Sequence, residues 1–223
     1  MQDNIEKITE EILKNKGRIV ALTGAGISEE SGIPTFRGRG GLWDKYSPNL
    51  YANIGGLIAT FIVNPPKVVN FFVEVAEVIL HAEPNQGHLG LAELEGSDTL
   101  KATITQNIDN LHQGAGSKNV IELHGNAYQW KCRRCGKKYK LSTKELGEMV
   151  QRIKNIKISR WGLSNKLKEI APTCTCGGNM RPDVVFFGEL LPQDELDRAY
   201  NELEKCYNNI IEIFGIEKEN IKE

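Results

Sequence analysis

Three short runs rich in β-branched residues constrain the fold of this chain more than any other feature. They read RIVALTGAG (18–26), KATITQNID (101–109) and NVIELHG (119–125), and each ends in glycine or in polar side chains. Runs of this kind are typical of the strands of an α/β sheet. Because open α/β sheets bind ligands beyond the carboxyl ends of their strands, the pattern predicts a ligand site where these three runs end.

The turn after the first run matches a phosphate-binding glycine pattern only in part. Gly24 and Gly26 fit G-x-G-x-x-G, whereas Glu29 stands at the third glycine position. The pattern is therefore compatible both with a nucleotide-binding turn and with an ordinary tight turn. The glycine-rich stretch 31–48 follows, and its length is typical of a lid, a binding loop or a disordered segment. Its aromatic residues, Phe36 among them, favour an ordered lid, while Arg37 suits either a ligand phosphate or solvent.

Polar residues follow the second run directly. Gln106, Asn107 and Asp109 present two amides and a carboxylate, which suits recognition of a hydroxyl-rich ligand. The same residues also suit a capped turn, with Asn107 or Asp109 capping the next helix. At the end of the third run stands His124, where α/β enzymes keep reactive groups. His88 lies on a predicted helix over 86–94 and is interpreted as a hydrogen-bonded structural histidine.

Four of the five cysteines form two close pairs, Cys132 with Cys135 and Cys174 with Cys176. Four thiolates in this arrangement predict one tetrahedral zinc ion in a reducing compartment. Because no coordination position stays open, the zinc would be structural. The residues between the pairs have a helical pattern and predict an insertion.

The net charge of −1 argues against general binding to nucleic acid or to a membrane surface. Between residues 131 and 168, however, thirteen Lys or Arg face two acids, which fits either a solvated module or a surface for acidic partners and nucleic-acid phosphates. The N-terminus lacks the apolar stretch of a signal peptide, and no apolar run reaches the roughly 18 residues of a membrane span. We therefore expect a cytoplasmic protein without membrane contact.

The C-terminal part predicts a strand over Asp183–Phe187, then a helix from about residue 193. Its buried face is expected at four positions that share helical spacing: Leu196, Ala199, Tyr200 and Leu203. A further short strand is predicted over Ile210–Phe214.

Taken in order, these segments resemble the sirtuins, a family of NAD-dependent protein deacylases. The resemblance rests on GAGISEESGIPTFRG (24–38), PNQGH (84–88), TQNIDNLH (105–112), GSKNVIELHG (116–125), the two cysteine pairs and RPDVVFFGE (181–189). It covers roughly residues 18–206 and implies a Rossmann-like parallel sheet with helices on both faces, plus a small zinc-binding lobe.

The resemblance also implies roles for individual residues. His124 would be the general base and would also line the cofactor site, and one structural zinc would be held by Cys132, Cys135, Cys174 and Cys176. The NAD site would be formed by Gly24, Ala25, Gly26, Glu29, Phe36, Arg37, Gln106, Asn107 and Asp109. The acyl-lysine peptide would pair with Val184, Val185, Phe186, Phe187, Gly188 and Glu189, by strand addition that reads backbone more than sequence.

In that family the acyl oxygen displaces nicotinamide from NAD, and a histidine then activates a ribose hydroxyl. This implies a lysine deacetylase that releases nicotinamide and O-acetyl-ADP-ribose. Sirtuins that prefer acidic acyl groups carry a tyrosine and an arginine at the positions that Phe72 and Val75 resemble. The resemblance therefore favours acetyl or longer apolar acyl groups on protein substrates.

The resemblance ends after about Cys206, where the second half of the family's sheet is not recognisable. This predicts a truncated or divergent fold with weakened NAD binding and impaired activity. The expected domains are 1–126 with 181–223 for the incomplete NAD-binding part, with 30–80 partly forming a lid and helical lobe, and 127–180 for the zinc module.

Two alternative functions stay open: mono-ADP-ribosyl transfer, and an inactive zinc-containing protein that binds partners such as nucleic acid. The sequence does not fix the oligomeric state.

Overall fold

A computed structural model describes residues 2–35, 41–51, 53–155, 170–186 and 188–214. Its helices are α1 (Gln2–Lys14), α2 (Leu42–Lys45), α3 (Pro48–Tyr51), α4 (Ile54–Val63), α5 (Pro65–His81), α6 (Gln86–Gly96), α7 (Leu111–Gly114), α8 (Thr143–Lys154) and α9 (Gln193–Phe214), with a 3-10 helix over Ala25–Ser31. Its strands are β1 (Ile19–Thr23), β2 (Leu100–Thr105), β3 (Val120–Glu122), β4 (Gly125–Cys132), β5 (Lys138–Lys140) and β6 (Met180–Val184). None of the described helices is long and apolar enough to cross a bilayer.

The three predicted runs form one parallel sheet in the order β1-β2-β3. Four successive residues of the central strand, 102–105, are buried, so both faces of β2 are covered. Ala199 of α9 packs with Ala102, Ile104 and Ile121 on one of these faces. This confirms the α/β architecture, and it brings the carboxyl ends of β1, β2 and β3 to one edge, as expected for parallel strands.

A second, antiparallel sheet in the order β5-β4-β6 carries the first cysteine pair at its end. The chain enters it directly from β3 through Gly125, whose φ is +77°. A side chain at Gly125 would collide with the Asp183 carbonyl of β6, since a Cβ built there lies 1.8 Å from that oxygen. Gly125 thus permits both the turn and the close approach of β6.

The strand predicted over Asp183–Phe187 was placed wrongly. β6 covers Met180–Val184 and includes Pro182, which is tolerated because β6 is an edge strand. The backbone pairing ends with the bond from the Val185 N–H to the His124 carbonyl, and the next N–H, that of Phe186, is bonded to the Glu189 side chain (3.0 Å). Phe187 lies outside the described residues.

A helical layer of α4, α5 and α8 adjoins the sheets. Asn64 caps α5 and Pro65 occupies its first turn, where proline is favoured. Phe71 of α5 packs in an aromatic cluster with Tyr46 and Tyr51, at centroid distances of 4.9 and 5.0 Å. The neighbouring Phe72 is 39% exposed.

Two expectations for the last helix are wrong. Residues 210–214 continue α9 as helix and form no strand, because no glycine or proline interrupts the chain between Gln193 and Phe214. Tyr200 and Leu203 are 66% and 48% exposed. α9 meets the sheet through Ala199, and Tyr200 lies about 100° round the helix from it.

Candidate active site

A buried polar cluster lies where β1 and β2 end. Ser28, on the 3-10 helix after β1, donates to Asp109 Oδ2 at 2.7 Å. The Asn107 amide donates to Ser28 Oγ at 2.9 Å and to the Gly24 carbonyl at 3.1 Å. Asp109 also accepts from the Leu111 N–H through Oδ1 (2.9 Å), so it caps the turn and supports the cluster at once. The two interpretations of Asp109 from sequence are therefore compatible.

Two buried histidines adjoin this cluster. His88 has no exposed surface and lies 3.5 Å from Ser28 Oγ through Nε2, while its Nδ1 lies 3.1 Å from Asn85 Oδ1. His112 is 1% exposed, and its Nε2 lies 2.9 Å from Thr23 Oγ1. The imidazole rings are 4.8 Å apart. His88 is thus a buried, hydrogen-bonded residue, as predicted.

Burial determines the charge state of this histidine pair. Loss of solvation, together with the neighbouring His88, lowers the pKa of His112 to about 4, while Asp109 opposes the shift. Loss of solvation also lowers the pKa of His88, again against Asp109. Both imidazoles are therefore neutral near pH 7.

His124 lies at the junction between β3 and β4, at the same edge of the parallel sheet as this cluster. Its Nδ1 lies 2.8 Å from the carbonyl oxygen of Gln106, directly after β2. A carbonyl can only accept, so Nδ1 carries the hydrogen and Nε2 keeps a lone pair. The imidazole is half-buried. This geometry leaves His124 Nε2 able to accept a proton from a ligand at the strand ends.

The segment predicted to bind a peptide begins at the outer edge of the second sheet. Val184 pairs with Gly125, and the Val185 N–H donates to the His124 carbonyl at 2.9 Å. Glu189 forms a bidentate ion pair with Arg181 (2.7 and 2.9 Å), which folds the turn at Gly188 back onto β6. The Phe186 ring lies 6.1 Å from that of Phe72 on α5. The rings of Phe72 and Phe186 therefore lie near the backbone that carries His124.

The four paired cysteines come together as predicted. Their sulfur atoms all lie within 4.8 Å of one another, with nearest distances of 3.5 to 3.6 Å. The Arg134 N–H points to Cys132 Sγ at 3.4 Å, a contact that favours a thiolate. Gly178 is pressed against the cluster, since a Cβ there would lie 2.6 Å from Cys132 Sγ. Four convergent sulfurs fit tetrahedral zinc and leave no open position, so the site suits a structural ion.

Comparison with known proteins identifies the family. The model of the Sir2 family matches residues 24–215. The chain belongs to the Sir2 family. An NAD-dependent protein deacylase of Pyrococcus abyssi is 45% identical over 196 residues, which are 87% of this chain and 70% of the relative.

Solved Sir2 structures share the fold. A Sir2 homologue mutant in complex with ADP ribose superimposes with a TM-score of 0.64 at 41% identity, over 86% of this chain and 69% of that one. A complex described as Sir2, p53 peptide and NAD+ gives a TM-score of 0.58 at 41% identity, over 82% and 65% of the two chains.

Among the residues predicted from this Sir2 sequence, the structure joins some and not others. Asn107 and Asp109 belong to the buried cluster together with the Gly24 backbone, whereas Glu29 is exposed. Gln106 acts through its backbone carbonyl, and its side chain is exposed. Ala25 and Gly26 lie in the 3-10 helix. Phe36 and Arg37 lie outside the described residues.

Sequence reasoning did not select Ser28, Asn85 or His112 as site residues. Asn85 holds the start of α6 to the 3-10 helix, since its amide donates to the Ile27 carbonyl (2.6 Å) and to Ser31 Oγ (3.0 Å). A signal was present for each, because Ser28, Asn85 and His112 all stand inside the short motifs that carry the family resemblance.

Proposed function

We propose that this chain is an NAD-dependent protein-lysine deacetylase that releases nicotinamide and O-acetyl-ADP-ribose. The observation that carries the proposal is the position of His124, whose Nδ1–H is held by the Gln106 carbonyl at 2.8 Å while Nε2 has no hydrogen-bond partner among the described residues. The relatives at 40–45% identity are NAD-dependent protein deacylases, which supports the same activity here.

His124 would act as the general base. Imidazole is the side chain that most often serves as a general base near neutral pH. NAD supplies an anomeric carbon that carries nicotinamide as leaving group. His124 Nε2 would take the proton from a ribose hydroxyl, and the bond from Nδ1 to Gln106 would keep the ring oriented while it becomes charged. The Gln106 carbonyl also stabilises the resulting imidazolium.

The buried cluster would bind the nicotinamide and ribose end of NAD. Asn107 and Asp109 are held rigidly by Ser28, so their remaining polar atoms are pre-organised for a ligand. Gly24, Ala25 and Gly26 would let backbone approach the ligand closely, and Glu29, Phe36, Arg37 and Gln106 are assigned to the same site from the family resemblance. A site closed to water protects the electrophilic sugar carbon.

The substrate peptide would add to the edge of the second sheet. β6 is an edge strand in the described sheet, the position at which a peptide adds by strand pairing, although the Val184 carbonyl and the Phe186 N–H are here bonded to the Arg181 and Glu189 side chains. Val184 to Glu189 would therefore hold the peptide, with Phe187 included on the family resemblance. Since Val185 is bonded to the His124 carbonyl, a peptide placed there lies next to the base.

The acyl group would be acetyl or a longer apolar chain. Phe72 and Phe186 are paired at 6.1 Å, and Val75 packs against the same apolar cluster. No cation stands at positions 72 and 75 to pair with an acidic acyl group. We expect the wild type to prefer acetyl-lysine over succinyl-lysine peptides, and the double variant Phe72→Tyr, Val75→Arg to raise the relative rate with succinyl-lysine. An unchanged ratio of the two rates would contradict this assignment.

Mass spectrometry of an acetyl-lysine peptide tests the activity itself. The peptide is incubated with the chain, with and without NAD. Loss of the acetyl group only with NAD, together with O-acetyl-ADP-ribose, supports deacetylation. ADP-ribose found on the protein or peptide would instead support mono-ADP-ribosyl transfer. An intact peptide with NAD present, and no ADP-ribose on the protein or the peptide, would contradict both.

A further inference from the structure

Glu122 is a charged residue at the carboxyl end of β3, two positions before His124, to which the proposed reaction assigns no role. Its Oε1 accepts from the side-chain amide of Gln113 on α7 at 2.7 Å and from that of Asn126 on β4. Burial raises the pKa of Glu122, and the two amides oppose that shift. Glu195 of α9 and Lys140 of β5 are the charged groups that face it, with opposite effects. One carboxyl group thus joins β3 to α7 and β4.

Asn126 passes this link to the loop after β2. The residue is 1% exposed, and its amide also donates to Asn110 Oδ1 at 3.0 Å. Its own Oδ1 accepts from the Tyr128 N–H at 2.8 Å. Asn110 is held in the left-handed region, with φ of 65°. Since both ends of the Asn126 side chain are engaged, its orientation is fixed and it connects Glu122 to Asn110.

Three hydrogen bonds join residues 123–127 to residues 105–108, and the His124 contact is one of them. The Leu123 N–H donates to the Thr105 carbonyl at 3.0 Å, and the Ala127 N–H donates to the Ile108 carbonyl at 2.8 Å. The bond from His124 Nδ1 to Gln106 lies between these two. Residues 106–110 are irregular backbone, and these bonds hold them against the β3–β4 junction, while the Gln106 N–H to Thr23 carbonyl bond (3.0 Å) holds them to β1. Loss of the bonds that run from Glu122 through Asn126 to Asn110 would let the loop 106–110 and His124 move apart.

We propose that Glu122 is a positioning residue for His124. Through Asn126 and Gln113 it holds the loop 106–110 against the β3–β4 junction, and so keeps the Gln106 carbonyl within hydrogen-bonding distance of Nδ1. The consequence is that His124 stays in the Nδ1–H tautomer, with Nε2 ready to accept a proton. The catalytic part of this role rests on the proposed function, whereas the tautomer does not.

The tautomer provides a test that needs no activity. Nitrogen-15 NMR of the histidine side chains in the full chain reports which ring nitrogen carries the hydrogen, and His124→Asn assigns the signal. We expect Nδ1–H in the wild type. Glu122→Ala should shift His124 toward Nε2–H or a mixture, and Glu122→Gln should restore the wild-type signal because its carbonyl accepts the same two bonds. A wild-type signal in Glu122→Ala would overturn the proposal.

Glu95→Ala is the matched control. Glu95 also supports β3, because its carboxylate accepts the backbone N–H groups of Lys118 and Asn119 (2.7 to 3.1 Å) at the opposite end of the strand. Its loss should lower stability without changing the His124 tautomer. An equal tautomer shift in both variants would mean a general loosening of β3 and would overturn the proposal. If Glu122→Ala does not fold, Gln113→Ala, which removes one donor, should give a smaller shift in the same direction, and no shift would count against it.

Catalysis gives the second test. Exchange of labelled nicotinamide reports the step before His124 acts, and formation of O-acetyl-ADP-ribose reports the step that needs it. Glu122→Ala should lower acetyl transfer by about tenfold or more while exchange changes much less, since a misplaced base loses its contribution. Equal loss of both would overturn the catalytic role. A wild type without either activity would reject the proposed function, while the tautomer result would still stand by itself.

Discussion

The Nδ1 atom of His124 lies 2.8 Å from the carbonyl oxygen of Gln106. This contact joins the end of β3 to the loop after β2, and the same loop carries Asn107 and Asp109 into the buried cluster. His124 and the buried polar cluster are therefore parts of one hydrogen-bonded unit. A change at either end of this unit should be measurable at the other.

Ser28 holds the polar pocket together, and its removal should affect both stability and ligand binding. The side chain is 1% exposed and bonds both Asp109 and Asn107. In Ser28→Ala a buried carboxylate oxygen loses its donor, which costs about 1–3 kcal/mol. We expect a loss of that size in urea unfolding and weaker NAD binding in calorimetry. Ser97→Ala, which removes an exposed hydroxyl, should change neither, and equal effects of the two variants would contradict the role of Ser28.

Stability should fall with acid because His112 is buried in its neutral form. Its pKa in the folded chain is about 4, whereas an unfolded histidine titrates near 6.5. The stabilisation that neutral His112 provides is complete above about pH 6.5. It is lost as the pH falls toward 4, because the unfolded state then binds a proton and the folded state does not. This accounts for about 2 kcal/mol between pH 7 and pH 5.

Denaturant unfolding at these two pH values checks the prediction. His112→Asn should be less stable than the wild type at pH 7, and it should lose less stability on going to pH 5. His81→Asn, at an exposed histidine of α5, should keep the wild-type pH dependence. The same pH dependence in all three proteins would contradict the assignment to His112.

Zinc binding should depend on the glycine that lies against the sulfur cluster. Gly178→Ala places a Cβ 2.6 Å from Cys132 Sγ and 2.7 Å from Arg134 Cβ, so the four sulfurs cannot keep their positions. We expect a strongly reduced zinc content by elemental analysis and a lower melting temperature. Gly147→Ala is the control in the same lobe, because a Cβ there meets nothing within 4 Å. Full zinc content in Gly178→Ala would show that the cluster does not hold the ion as described.

The sequence predicted those features that follow from local spacing. The cysteine pairs needed only the ligand preference of zinc, and His124 needed only its place at a strand end. Ser28 and Glu122 were not selected, because a lone serine in a turn and a lone glutamate on a short strand give no local signal. Their importance arises from partners 81 residues away for Ser28 and on two other elements for Glu122.

The errors in the fold have the same origin. β6 was placed after Pro182, although an edge strand tolerates proline, and edge position is a property of the sheet. Residues 210–214 have a strand-like composition, yet they extend α9 because the helix already present continues without a breaker. Tyr200 was assigned to the buried face from its spacing, but what it contacts depends on where α9 meets β1, β2 and β3.

The most direct measurement of the central claim compares two reactions in His124→Ala. Exchange of labelled nicotinamide into NAD, with an acetyl-lysine peptide present, should persist, because in the proposed reaction the histidine acts after nicotinamide leaves. Formation of O-acetyl-ADP-ribose should fall by about a hundredfold or more, the usual contribution of a general base. His81→Ala should retain both reactions. Acetyl transfer at the wild-type rate in His124→Ala would contradict the account.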